Sequence, residues 1–243
     1  MPEKPSPYLL RVNSRPSRPD IGDDLWTEFC TKERLPDLVK SGVATRAAFY
    51  RELHNFPPLS GVRPPKDEAE KSRNFLAMCQ SNHQTPIDTE EYRNLRLDSD
   101  LLPEGEVKSM GDYDARNFKL IQNFDPKGVG VQPGKYLLTV EMSPADESTY
   151  HMFYEDEHLP LLTKVPGYRR TLRYEMGPRD PILTPKRDLP GFFVGHEYDS
   201  LDGLAGEEMD AAMSTDLAKT VRMNSMAVIW RCWELIEGVG FGS

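Results

Sequence analysis

Residues 150–167, YHMFYEDEHLPLLTKVPG, have a diverged copy earlier in the chain, at residues 26–42. Trp26, Phe29, Glu33, Arg34, Leu35, Pro36, Leu38 and Lys40 align without a gap on Tyr150, Phe153, Glu157, His158, Leu159, Pro160, Leu162 and Lys164, and most of the pairs are identical. Upstream of each copy lies a short apolar run, YLLRV at residues 8–12 and YLLTV at residues 136–140. A repeat spaced this widely is far beyond a solenoid period and records the duplication of one small domain. The chain is thereby constrained to fold as two related units, and 243 residues suffice for two cores.

Each unit reads in the same order. The apolar runs are first strands, and the repeated stretches are helices over residues 23–40 and about 147–164, with apolar residues at helical spacing. Pro36 and Pro160 predict a kink or a break there, because proline removes a donor and disfavours helical geometry in the residue before it. Second strands are expected at 43–50 and 168–174, and third strands at 74–82 and 192–200. Second helices follow at about 88–102 and 201–221, the latter broken near Ser214, and fourth strands at 116–124 and 227–236. Long proline-rich connections at 54–72 and 177–191 are candidates to cover a cavity mouth or to be plain hairpin extensions. The expected domains are residues 1–124 and 136–238, with a Gly/Pro linker at 125–135 and a tail at 239–243.

The order strand, helix, strand, strand, helix, strand predicts an α+β fold of two tandem ferredoxin-like (βαββαβ) domains, each an antiparallel sheet with both helices on one face. The last strand, AVIWRCWELI, is apolar on both alternating faces. One face has helices to bury it, and the duplicate supplies cover for the other.

Composition narrows the function. No apolar run approaches a membrane span, the N-terminus lacks the apolar core of a secretory signal, and a cytoplasmic location is the expectation. A net charge of -9 with scattered basic residues argues against a nucleic-acid partner. Cys30, Cys79 and Cys232 are odd in number and sit among apolar neighbours, which fits buried thiols. There is no GxGxxG before a helix, no P-loop, no GxSxG and no HExxH, and no spacing proposes a metal site.

The YLLTV strand, the helix ending EDEHLPLLTKVPGY and the aromatic-rich last strand resemble the dimeric α+β barrel superfamily. They are most similar to its EthD-like members, including fungal proteins with two such domains in one chain. The resemblance implies an intramolecular version of the barrel, a monomer with pseudo-dimeric halves, with further association of copies left open. It also implies a small hydrophobic or aromatic ligand between sheet and helices, and a histidine that handles a proton without a cofactor. Superfamily chemistries include polyketide cyclisation, dehydration, isomerisation, cofactor-free monooxygenation and haem handling, so the site must decide.

His158 lies on the apolar face of its helix, where the EthD-like motif also places its histidine; the alternative is a histidine that caps a carbonyl freed by Pro160. His196 alternates with Phe192, Val194 and Tyr198 on the third strand, as a cavity group or a satisfied core residue. Arg34 replaces His158 in the first half, and the order of residues sets Met78 in place of His196. The expectation is a catalytic pair, His158 and His196, in the second half, and a first half that is structural. Tyr136, Tyr154, Glu157 and Tyr198 are candidate substrate contacts, and Arg34 a candidate for a second, acid-binding pocket or a snorkelling surface residue. His54, His83 and His151 are expected at the surface, the last facing away from His158. The competing functions are a cofactor-free lyase, cyclase or isomerase of secondary metabolism, a binding protein for a hydrophobic metabolite, and an interaction protein with filled cavities.

Overall fold

In a computed structural model, residues 3–54, 73–177 and 189–242 are described. The first half supplies β1 (Tyr8–Pro16), β2 (Arg46–Glu52), β3 (Phe75–Ser81) and β4 (Gly111–Phe124), and the second β5 (Tyr136–Pro144), β6 (Tyr168–Met176), β7 (Phe192–Tyr198) and β8 (Ser225–Val239). All pairings are antiparallel, and the order β1-β3-β2-β8-β5-β7-β6-β4 closes on itself. Each half has the ferredoxin-like order of four strands. The fourth strands make the closure: β4 pairs first with β1 and then with β6, and β8 first with β5 and then with β2. Joining two sheets at both edges leaves no open edge to solvent.

A closed barrel has a lumen and an outer face, so each strand buries both sets of alternating side chains over at least its central stretch. The helices cover the outer face of each half in separate apolar layers. One layer gathers Trp26, Phe29, Leu35, Phe49 and Phe75, and the other Tyr150, Phe153, Leu159, Phe192 and Trp230. Leu9, Leu76, Phe118, Leu137, Phe193 and Trp233 point into the lumen. That lumen also holds a charged network absent from any apolar pattern. Arg11 reaches Asp114 and Glu141, and Arg116 reaches the same two carboxylates. Arg231 pairs with Glu52. Three guanidinium groups facing three carboxylates bring β1, β4, β5, β8 and β2 into one neutral cluster, the condition under which buried charge is tolerated.

The repeated helices are continuous across their prolines, where a break was expected. α1 (Asp23–Phe29) runs through a π-helical turn (Cys30–Arg34) into α2 (Leu35–Lys40), and α4 (Glu147–Met152) through one at Phe153–His158 into α5 (Leu159–Leu162). The Leu35 amide donates to the Cys30 carbonyl and the Leu159 amide to that of Tyr154, five residues back. The extra residue in the turn lets the helix pass the position where proline offers no N–H. Gly42 and Gly167, both at positive φ, then turn the chain towards the next strand.

The second helix of the first half is a correction. In place of a helix over 88–102 there are a 3₁₀ turn at Pro86–Asp88 and α3 (Glu90–Arg93). Ser99 accepts hydrogen bonds from the amides of Leu101 and Leu102, and Glu33 accepts from Ser99 and from the Asp100 amide, so side chains compete with the helical ladder. The second half keeps its helix as α6 (Glu207–Ser214) and α7 (Asp216–Met223), parted at Thr215, whose side chain caps α7. No helix among the described residues is long and apolar enough to cross a membrane. The two proline-rich connections lie largely outside the described residues.

Candidate functional site

The helix-to-sheet layer of the second half brings His158 and His196 together, with ring centres 5.7 Å apart. They come from different elements, the end of the π turn and the middle of β7. Both are buried, at 3% and 1% exposure. His158 stacks on Phe153 at 4.7 Å and meets Tyr154 edge-on at 5.5 Å. Tyr154 lies nearly parallel to His196 at 6.2 Å.

Hydrogen bonds define what each imidazole can do. His158 Nδ1 is 3.2 Å from the Ala212 carbonyl near the end of α6. A carbonyl only accepts, so Nδ1 carries the proton and Nε2 of neutral His158 bears the lone pair. The histidine therefore caps a carbonyl, as one reading of the sequence had it, but on α6 and not at the Pro160 kink. His196 Nδ1 is 2.8 Å from Thr171 Oγ1, which is 2.8 Å from the Tyr168 hydroxyl. Its Nε2 is buried without a hydrogen-bond partner among the described residues, as is the hydroxyl of Tyr198. Burial, outweighing the bond to Ala212, pushes the His158 pKa down to about 4, with Arg222 and Arg173 adding to it. Burial does the same to His196, followed by His158 and Arg173, and holds it well below the usual imidazole value.

Three residues of this layer were not singled out from the sequence. Thr171 and Tyr168 come from β6, where an irregularity in register between Tyr168 and Arg170 accompanies their contact. Arg173, two residues on, lies over the rings of Tyr154 and Tyr150, at 4.4 and 5.0 Å. The available signal was the sequence YRRTLRYEM, which puts arginines on both faces of a strand that a closed barrel must bury.

The other sequence candidates scatter. Tyr198 is in the layer, beside Tyr168 at 5.7 Å. Tyr136 lies across from Tyr198 at the start of β5, half-buried, with the Lys135 ammonium 4.9 Å from its ring. Glu157 accepts from Thr215 at the start of α7 and does not orient His158. Arg34 is in the other half, where it donates to the Tyr92 hydroxyl and lies over that ring. His151 does not face away: it is half-buried and its Nδ1 takes a hydrogen bond from Arg173 at 2.9 Å. Seven residues are close to two α-helical turns, so a residue that far from His158 starts on the same side. His54 is exposed and His83 half-buried.

The register also corrects the pairing of the halves. Leu10 opposes Cys79 on β3 as Leu138 opposes His196 on β7, so Cys79, not Met78, is the counterpart of His196. A one-residue slip moves a strand residue to the other face, and Met78 is in the lumen.

A small cavity of about 20 Å³ lies in the lumen, on the other side of the sheet from the histidines, among Tyr50, Arg170, Tyr174, Glu197 and Phe241. It has room for about one water. Among the described residues no three His, Cys, Asp or Glu side chains gather as a metal site would require.

The chain thus has the dimeric α+β barrel fold, closed within one polypeptide. An anthrone oxidase-like protein of known crystal structure superposes over 98% of this chain and 95% of its own, with a TM-score of 0.57 and 10% identity. In sequence, the chain is 22% identical over 220 residues to core atranone cluster protein 1 of Stachybotrys chlorohalonatus, covering 85% of this chain and 88% of that one. No family model matches.

Proposed function

We propose that this chain is an enzyme that moves a proton on an aromatic or polyketide-like small molecule of secondary metabolism, using His158 and His196 and no cofactor. The observation that carries the proposal is the pair itself: two neutral imidazoles 5.7 Å apart, one with its lone pair fixed at Nε2 by the Ala212 carbonyl, the other with an unpartnered Nε2. His158 is the base. It takes a proton from a carbon beside a carbonyl, the electron pair passes into the enolate, and His196 lies within reach of the same molecule to assist the proton's return at another atom. Isomerisation, cyclisation and dehydration all begin this way.

Burial keeps both rings free to accept a proton and, by lowering the His158 pKa, weakens it as a base. At neutral pH both imidazoles are already neutral, and an imidazolium formed on His158 in this apolar layer gives its proton back readily. A ligand reaches the pair only when the layer opens. The contacts that an opening of α6 breaks are His158 on the Ala212 carbonyl and Arg222 on that of Met213. The relative from a biosynthetic cluster supports a secondary metabolite as substrate. The likeness to an anthrone oxidase-like protein favours one extension, in which O2 oxidises the deprotonated carbon, leaving one oxygen atom as a carbonyl and the other as water.

The test is proton exchange in deuterated water across a panel of aromatic ketones and anthrone-type compounds, followed by NMR. The wild type is expected to speed deuterium uptake at the acidic carbon, and His158→Ala to lose at least about 100-fold of that rate. Equal rates in the two proteins sink the assignment, and oxygen uptake separates the oxidative extension.

A further inference from the structure

Arg173 is a buried guanidinium whose carboxylate partner is mostly exposed. Its side chain is 0% exposed. Nη1 donates to the Gln122 amide oxygen at 2.6 Å, Nη2 to His151 Nδ1 at 2.9 Å, and among the described residues the one carboxylate in reach is Glu155, at 3.5 Å and itself 55% exposed. Nε is buried and has no hydrogen-bond partner among the described residues. The lumen treats its arginines differently. Arg170, three positions earlier on the same strand, holds Glu197 through two nitrogens, and Arg11, Arg116 and Arg231 each hold a buried carboxylate. A buried cation without an equally buried counter-charge is among the most costly arrangements a protein keeps, and such groups concentrate where a ligand completes them.

Its neighbours point the same way. The guanidinium lies over the rings of Tyr150 and Tyr154, and its charge is felt by both histidines. Tyr198 and His196 add two more buried polar atoms without partners among the described residues in this layer. At the position of Arg173 the first half has Phe49, since Ala47 opposes Cys79 as Thr171 opposes His196.

We propose that Arg173 receives an anionic oxygen of the ligand, so that the molecules this site takes are acidic aromatics: carboxylates, or phenols and enols held as their anions. The inference rests on the ligand binding in the histidine layer, as the proposed function does, and it deepens that reading from a small aromatic to an acidic one. Guanidinium is suited to the role because it stays charged and offers two donors to one oxyanion.

The test is calorimetric titration of the full chain with 2-naphthoate and with 2-naphthamide, its neutral isostere, and absorption spectroscopy of added 2-naphthol. The wild type is expected to bind 2-naphthoate at least about tenfold more tightly than the amide, or to bind 2-naphthol with the spectrum of its anion. The first result marks a carboxylate and the second a phenolate. Arg173→Met is expected to bring the anion preference below about twofold with the fold retained, since the charge it removes has only a mostly exposed carboxylate as counter-ion. If that variant does not fold, Arg173→Lys serves, and a preference reduced but not abolished supports the role. Equal binding of naphthoate and naphthamide with no anion spectrum, or no binding of any of the three, overturns the inference, as does an anion preference unchanged in either variant. In His158→Ala the anion preference should persist while proton exchange is lost. The two readings therefore fail separately.

Discussion

Between its helices and its sheet the first half holds Trp26, Cys30, Arg34, Ala47, Phe49 and Cys79, where the second holds Tyr150, Tyr154, His158, Thr171, Arg173 and His196. The first helices match down to the π turn and the glycine after it, while these six positions all differ in side chain. In the first half the polar atoms of this layer are satisfied internally: Trp26 Nε1 donates to Ser14, Ser81 Oγ to the Val43 carbonyl, and Arg34 to Tyr92. Burial pushes the Cys79 thiol up to about 12 and raises Cys30 as well, so neither is a nucleophile at neutral pH. In the second half Arg173, His196 and Tyr198 each keep a buried polar atom without a partner among the described residues. Each such atom works against folding, and one layer bears three of them. The contrast places the unsatisfied buried polar atoms of these two layers in the second copy.

The largest expected effect tests the contrast directly. On a substrate found by the exchange screen, His158→Ala should lose about 100-fold or more in turnover, and Arg34→Ala at the matching position less than about twofold. Comparable losses would break the distinction between the halves. Next comes the lumen, which belongs to both. Glu141→Ala strips Arg11 and Arg116 of a shared carboxylate and should cost about 3–5 kcal/mol in chemical denaturation, with both halves unfolding in one transition. Two separate transitions would show that the halves are more independent than the shared barrel implies.

Acid should strike the second half. His158 and His196 are held below the usual imidazole range by burial, so as pH falls below about 6.5 the unfolded chain takes up protons that the folded one refuses, at His158 until about 4. Their contribution is complete above that window and is lost on descending through it. Stability measured from pH 7 to 4 should fall less steeply in His158→Gln than in the wild type, and an identical slope would contradict the burial assigned to this ring. The smallest effect separates the layers by sign. Tyr198→Phe removes an unpartnered hydroxyl and should be neutral or stabilising by up to about 1 kcal/mol, whereas Ser81→Ala at the equivalent place breaks a hydrogen bond and should cost about 1 kcal/mol. Thermal melts of the two variants decide it.

Much of this was legible in the chain. The repeat announced two units, and strand-helix-strand-strand-helix-strand in each announced the ferredoxin-like order. His158 and His196 stood out as imidazoles on apolar faces. What was missed follows from the ways in which local patterns mislead. A helix over 88–102 looked right by composition, but Ser99 and Glu33 offered its backbone other partners. Met78 looked like the counterpart of His196 because the residues were counted from the ends of the apolar runs, and only strand pairing supplies the register. Glu157 looked adjacent to His158, yet neighbours in a helix diverge by about 100° and it meets Thr215 instead.

The sequence alone determined that one small domain occurs twice and that its last strand, AVIWRCWELI, must be buried on two faces. Those are consequences of periodicity and hydrophobicity, which are local and survive divergence. Only the tertiary structure decided that the two sheets share their edges, that Arg11, Asp114, Arg116 and Glu141 meet across the lumen, and that Thr171, Arg173 and the two histidines converge in one layer. Contacts between residues far apart in the chain depend on register and closure, and a shift of one residue in a strand is enough to send a side chain to the other side of the barrel wall.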